Sequence, residues 1–135
     1  MSKFVIISIN FLFFTMLAVP TFASSGCWVV SGLKGYGSFS GEEYALGKDA
    51  ISNRTFEVVI DGKNSFVKGS NGLSFIEITP NLIVGIYISG GKKGAVETWG
   101  VDVEKGKAFY TLTRSGYTVH DGAKLFVGTL EGKCK

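Results

Sequence analysis

Histidine occurs once, cysteine twice and proline twice in these 135 residues. One His and two Cys cannot build an ordinary Cys/His zinc centre, and two Cys cannot make a disulfide-dense scaffold. Charge of one sign is equally scarce. Fourteen basic residues against eleven acidic ones leave +3, too little for an electrostatic nucleic-acid binder. No internal repeat, charge block or linker divides the chain. What is present is 45% hydrophobic residues, 13% aromatics and 19 Gly, the material of one globular domain and not of a disordered tail.

The only long apolar run stands at the start. Lys3 precedes a stretch from Phe4 to Val19, Pro20 breaks it, and Thr21-Phe22-Ala23 sets small residues where a signal peptidase reads. This pattern predicts a secretory signal peptide over residues 1–23, cut between Ala23 and Ser24. Sixteen residues that include Ser8, Asn10 and Thr15 fall short of the roughly 20 that span a bilayer, so no stable membrane span is expected after cleavage. Ser24-Ser25-Gly26-Cys27 lacks the Leu or Val of a bacterial lipobox. The remainder, residues 24–135, is expected to be a single β domain. Losing Lys3 leaves 13 basic against 11 acidic residues, or +2.

Cys27 and Cys134 then stand almost at the two ends. An exported chain meets an oxidising compartment, where two cysteines have one intramolecular pairing available. A Cys27–Cys134 disulfide requires the first and last segments to be neighbours in space. No CxxC and no adjacent His suggests a reactive thiol instead.

Between them, short runs rich in Val, Ile, Phe and Thr alternate with turn dipeptides such as Asp61-Gly62, Asn71-Gly72 and Pro80-Asn81. Eight strands are predicted: 27–33, 55–61, 65–69, 73–79, 82–89, 95–104, 108–115 and 126–133. Lys34 to Phe39 reads as a glycine-rich loop. Ser40 and Glu43 have capping-box spacing ahead of Gly47, which predicts one short helix near residues 41–46. Asp121 to Leu125 has room for a single turn. The fold class is therefore all-β: an antiparallel meander of about eight strands, closed or nearly closed into a barrel, with a two-sheet sandwich as the alternative.

The best-defined hairpin joins 95–104 to 108–115. Pairing Glu104 with Lys107 sets Val101 opposite Tyr110, Trp99 opposite Leu112 and Glu97 opposite Arg114, all on one face. On one reading this is a ligand site at a barrel mouth, with Arg114 meeting an anion, Glu97 orienting it, and Trp99 and Tyr110 as an apolar wall. On the other it is a cross-strand ion pair capping a packed core. Around Pro80-Asn81, Glu77 is expected to share a face with Leu73, Phe75, Val84, Ile86 and Ile88. Ile76, Ile78, Ile83 and Tyr87 take the other face, so this hairpin is expected to be covered twice or to meet a partner.

Catalytic patterns are sparse. His120-Asp121-Gly122 reads as a turn, since neighbouring strand residues point to opposite faces. Gly32-Leu33-Lys34-Gly35 has the GxxG spacing of KH domains without their flanking helices, and no Gly-Lys-Ser/Thr follows to make a P-loop. Asn53-Arg54-Thr55 is a glycosylation sequon, relevant only in a host that uses it. Gly26-Cys27-Trp28 opening the first strand resembles the G-x-W start of lipocalins. That resemblance implies an arginine packed on Trp28, with Arg114 as its counterpart. A small exported barrel with a terminal disulfide also resembles periplasmic lysozyme inhibitors in outline. Neither likeness carries a function.

The expected function is a non-enzymatic binding module for a small amphipathic ligand or a protein partner of the export compartment. An envelope enzyme inhibitor, lysozyme- or protease-inhibitor-like, is the alternative. A hydrolase using unrecognised carboxylates is the remaining class. No metal, cofactor or nucleic acid is implied.

Overall fold

The computed structural model describes residues 26–70 and 73–135. The expected signal peptide, its Ala23–Ser24 cleavage site and the Asn71-Gly72 turn lie outside them. Nine strands are present among the described residues: β1 (Gly26–Phe39), β2 (Gly47–Ile51), β3 (Phe56–Ile60), β4 (Phe66–Lys68), β5 (Phe75–Thr79), β6 (Leu82–Ser89), β7 (Lys93–Asp102), β8 (Lys107–Ser115) and β9 (Gly122–Lys133). The sheet runs β4-β3-β1-β9-β8-β7-β6-β5, and β2 pairs with β1 beside β3. Every ladder between strands is antiparallel. This is a nearly closed eight-strand barrel with β2 as an added strand. No helix among the described residues is long and apolar enough to cross a membrane.

The two ends of the chain do meet. β1 pairs with β9 from Trp28↔Lys133 to Phe39↔Gly122. Cys27 and Cys134 are bridged at a Cα–Cα distance of 5.3 Å, and the Cys134 amide donates to the Cys27 carbonyl at 3.0 Å. Such a bridge points to an oxidising compartment. The gap in the barrel lies elsewhere, between β4 and β5. There the Gly62 amide donates to Glu77 Oε2 at 2.7 Å, so Glu77 ties the 3-10 turn Gly62–Asn64 to β5 across the seam.

Three local expectations are overturned. Lys34 to Phe39 is not a loop but the second half of β1. A Cβ on Gly35 would fall 1.9 Å from the Leu125 carbonyl oxygen, so glycine is there to let β1 approach β9 closely. Gly32, at φ +61°, makes a bulge in β1 that carries Val30 and Leu33, three residues apart, into the same core. The helix expected over 41–46 is only a 3-10 turn, Ser40–Glu42. The Ser40 hydroxyl donates to the Thr118 carbonyl instead of capping. Glu43 and Tyr44 both take left-handed backbone, at φ 52° and 60°. That reverses the chain and lays β2 along β1, from Gly37↔Gly47 to Leu33↔Ile51. Residues 122–125, expected as a turn, open β9.

Two hairpin registers also differ. In β7–β8 the pairs are Asp102↔Lys107, Val101↔Ala108, Trp99↔Tyr110, Glu97↔Leu112 and Ala95↔Arg114. The Asp102 carboxylate accepts the Lys105 amide at 3.0 Å, which closes the turn two residues earlier on β7 than expected. An even shift keeps every side chain on its predicted face. In β5–β6 a bulge separates Glu77↔Ile83 from Thr79↔Leu82, a one-residue slip that turns β6 over. Ile83 and Gly85 therefore point inward with Phe75, and Val84, Ile86 and Ile88 do not. The hairpin is not covered twice. Ile76, Ile78, Ile86 and Ile88 stand exposed, Ile88 at 75%.

The core is filled by Trp99, Phe126, Phe75, Leu33, Ile60, Ile83, Val30 and Val58, all essentially inaccessible. Each such side chain contributes on the order of 1.5–3 kcal/mol relative to an exposed one. Trp99 is their centre, with ring centroids 5.0 Å from Phe56 and 4.6 Å from Tyr110.

Candidate functional site

One end of the barrel is solid and the other is hollow. Near the disulfide, Ile60, Val58, Val101 and Ala108 fill the cross-section. Toward the opposite end, a cavity of about 460 Å³ opens between the start of β7, the end of β8 and the start of β9. Glu97, Trp99, Tyr110 and Arg114, the four residues expected from the β7–β8 alternation, all line it. β7 and β8 turn the same alternate positions inward, so Glu97, Trp99, Tyr110 and Leu112 are all buried.

The expected Glu97–Arg114 cross-strand pair is not formed. Leu112 lies opposite Glu97, and Ala95 lies opposite Arg114. Glu97 Oε1 accepts the Trp99 indole N–H at 2.7 Å and the Ser70 hydroxyl at 3.2 Å. Arg114 instead donates from Nε to the His120 carbonyl at 2.6 Å. Its guanidinium lies 5.3 Å from the Phe39 ring centroid and 6.0 Å from that of Tyr117. Glu97 is thus held by β7 and the segment after β4, while Arg114 is held by the turn before β9.

Three more residues complete the polar wall. Lys124 points inward from β9, 5.0 Å from the Phe126 ring centroid and 5.8 Å from that of Tyr110. Arg54 donates to the Gly69 carbonyl and lies 5.2 Å from the Phe56 ring. Ser70 supplies the second donor to Glu97. Lys124 follows from the two-residue alternation Lys124, Phe126, Gly128, Leu130 once β9 is extended back to Gly122. Arg54 and Ser70 sit in connections and have no periodic signature.

Burial shapes the titration of this wall. Desolvation, and then the negative charge of Glu97, keep the Tyr110 phenol protonated well above its ordinary value of 10.0, with Arg114 opposing. Desolvation also lowers the Lys124 ammonium below its ordinary 10.5; Asp49 and Glu97 work against that, and Arg114 adds to it. The cavity therefore combines a neutral phenol, an aromatic floor, one hydrogen-bonded carboxylate and three basic side chains.

Other candidates separate from this site. His120 is exposed in the 3-10 turn Thr118–His120, and its carbonyl rather than its ring is used. Glu57 comes within 4.8 Å of the Cys27 and Cys134 sulfurs, but these are joined as a disulfide and offer no thiolate. Trp28 has Lys133 over its ring at 5.6 Å. Arg114 lies at the far end of the barrel, so the arginine partner implied by the lipocalin resemblance is not made. Comparison with known proteins finds no match to a family model, to a curated protein or to a solved structure.

Proposed function

We propose that this chain is an exported, non-enzymatic binding module that takes a small amphipathic ligand into the open end of its barrel. The observation that supports this reading is the 460 Å³ cavity that gathers Glu97, Trp99, Tyr110 and Arg114. Its size falls in the range of small-molecule sites, and its wall sets a few polar groups in an apolar surround. Hydrolysis by a carboxylate pair needs two acids facing one bond. Among the described residues that line the cavity, Glu97 is the one acid, and its Oε1 is engaged by Trp99 and Ser70. Export fits the terminal disulfide together with the residue 1–23 pattern.

Native mass spectrometry of protein purified from its own compartment tests the proposal. A retained small molecule, lost in a Trp99→Ala variant that still folds, is the expected result. Absence of any adduct, with no mass shift after addition of fatty acids and other amphiphiles, would overturn it. A second reading, in which a protein docks on the barrel exterior, draws on exposed Ile76, Ile78, Ile86 and Ile88. An Ile86→Lys/Ile88→Lys variant that kept the small-molecule adduct would separate the two sites.

A further inference from the structure

The charges around the cavity do not balance. Arg54, Arg114 and Lys124 line it as cations, against Glu97 as the lining acid. Glu97 is largely withdrawn from a ligand, since it is 7% exposed and accepts from both Trp99 and Ser70. The cations are not so committed. Among the described residues no carboxylate lies within 4.0 Å of Arg54, Arg114 or Lys124, the close ion pairs being Lys68–Glu57 and Lys105–Asp102. Arg114 uses Nε on the His120 carbonyl, which leaves its terminal nitrogens for another acceptor. Lys124 is the most informative of the three. It projects from an inward-facing strand position onto the faces of Phe126 and Tyr110, where ring quadrupoles replace part of a lost hydration shell and Asp49 and Glu97 act on it without forming a close ion pair. A half-buried ammonium facing a hollow, without a counter-ion, is a costly feature in an empty protein. It becomes favourable when the hollow receives a negative group.

We infer that the ligand is an amphipathic anion, its carboxylate or equivalent headgroup held between Arg114 and Lys124 and its apolar body laid against Trp99, Phe56 and Leu112. This rests on the proposed function and adds the sign of the headgroup. A cationic amphiphile is disfavoured, because Glu97, the one acid among the described lining residues, is already hydrogen bonded and three positive side chains line the cavity. A neutral amphiphile leaves Lys124 as uncompensated as before. Burial of Lys124 is consistent with the inference: desolvation lowers its proton affinity although Asp49 and Glu97 work the other way.

The test is titration of the folded protein with decanoate, decanol and decyltrimethylammonium, which share a tail and differ in head charge. Binding is followed by tryptophan fluorescence and calorimetry. Decanoate is expected to bind at least about tenfold more tightly than either of the others. Lys124→Gln and Arg114→Gln each weaken decanoate, and the double variant binds decanoate no better than decanol. Decanol affinity stays within about twofold of the parent in all three variants, which shows that the apolar wall is intact. Lys124→Gln should also leave the unfolding midpoint of the empty protein unchanged or higher, which excludes misfolding as the cause. Equal or tighter binding of decanol or the ammonium compound would overturn the anionic headgroup while leaving a binding cavity in place. No binding of any of the three would overturn both the headgroup and the cavity's role.

Discussion

Removing the Cys27–Cys134 bridge separates the covalent contribution to stability from the contribution of strand pairing. The bridge joins residues 107 positions apart. On the chain-entropy treatment, closing such a loop removes about 4.8 kcal/mol of conformational freedom from the unfolded chain at 25 °C. Native contacts change little, because β1 and β9 remain paired along their length and the Cys134 amide still reaches the Cys27 carbonyl. A domain of this size has a total stability of roughly 6–17 kcal/mol, so a Cys27→Ser/Cys134→Ser variant remains folded at 25 °C if the parent lies in the upper part of that range. With a urea slope near about 2 kcal/mol per molar, the midpoint falls by roughly 2 M. The slope itself should increase, because the unbridged unfolded chain exposes more surface. Equilibrium urea unfolding of the parent and the variant, followed by tryptophan fluorescence, measures both quantities. A midpoint shift below about 0.5 M with unchanged slope would refute the loop-entropy account.

Gly35→Ala places a methyl group against the Leu125 carbonyl oxygen and should cost about 3 kcal/mol by forcing β1 from β9, whereas Gly106→Ala meets no atom and pays only the strain of its φ of +63°; thermal unfolding of both variants checks the difference. Ile83 is fully buried and Ile88 is 75% exposed, so Ile83→Lys should prevent folding and Ile88→Lys should change stability by less than about 0.5 kcal/mol. Reversed outcomes in a solubility and circular-dichroism assay would mean that the bulge at Ile78 is misplaced. The raised Tyr110 ionisation has a definite pH consequence: above its ordinary value of 10.0 the unfolded chain releases a proton that the folded chain keeps, so stability falls as pH rises past that point. Tyr110→Phe should flatten that alkaline loss, measured as the urea midpoint on either side of it. Lys124 acts in the opposite sense below its ordinary 10.5, where the unfolded chain holds the proton more tightly and stability rises with pH.

Period-two alternation is the robust signal in this chain, and its failures have specific physical causes. The faces of β7 and β8 are legible because a two-residue error in register leaves each side chain on its own side of the sheet. For that reason Glu97, Trp99, Tyr110 and Arg114 reach one cavity although their expected partners are wrong. The pairing of the chain ends is legible because two cysteines leave a single intramolecular bridge. Bulges are not legible. The extra residue, Ile78, has no compositional mark, and it exchanges the inward and outward sides of all of β6. Glycine misleads in β1, where Gly35 and Gly37 look like a flexible loop but stand at close approaches to β9 and to the Phe39 ring. Lys124 escapes notice because a lysine near Asp121-Gly122 reads as turn surface, and only the full length of β9 turns it inward.

The pairing of β1 with β9 also sets an order of events in time. β1 is the first strand described and lies between β3 and β9 in the sheet, yet β9 follows all the other described strands in the chain. Until Gly122–Lys133 arrives, β1 and β8 each present a free edge of unmatched amides and carbonyls. A chain interrupted between β8 and β9 keeps both edges open, and joining them later closes a loop of most of the domain, a slow step for sheet proteins. Pairing of β9 with β1 and β8 is therefore expected to come late. Partial products carry adhesive edges that the finished molecule conceals, which makes β9 the segment whose loss turns a nearly closed barrel into an aggregating chain.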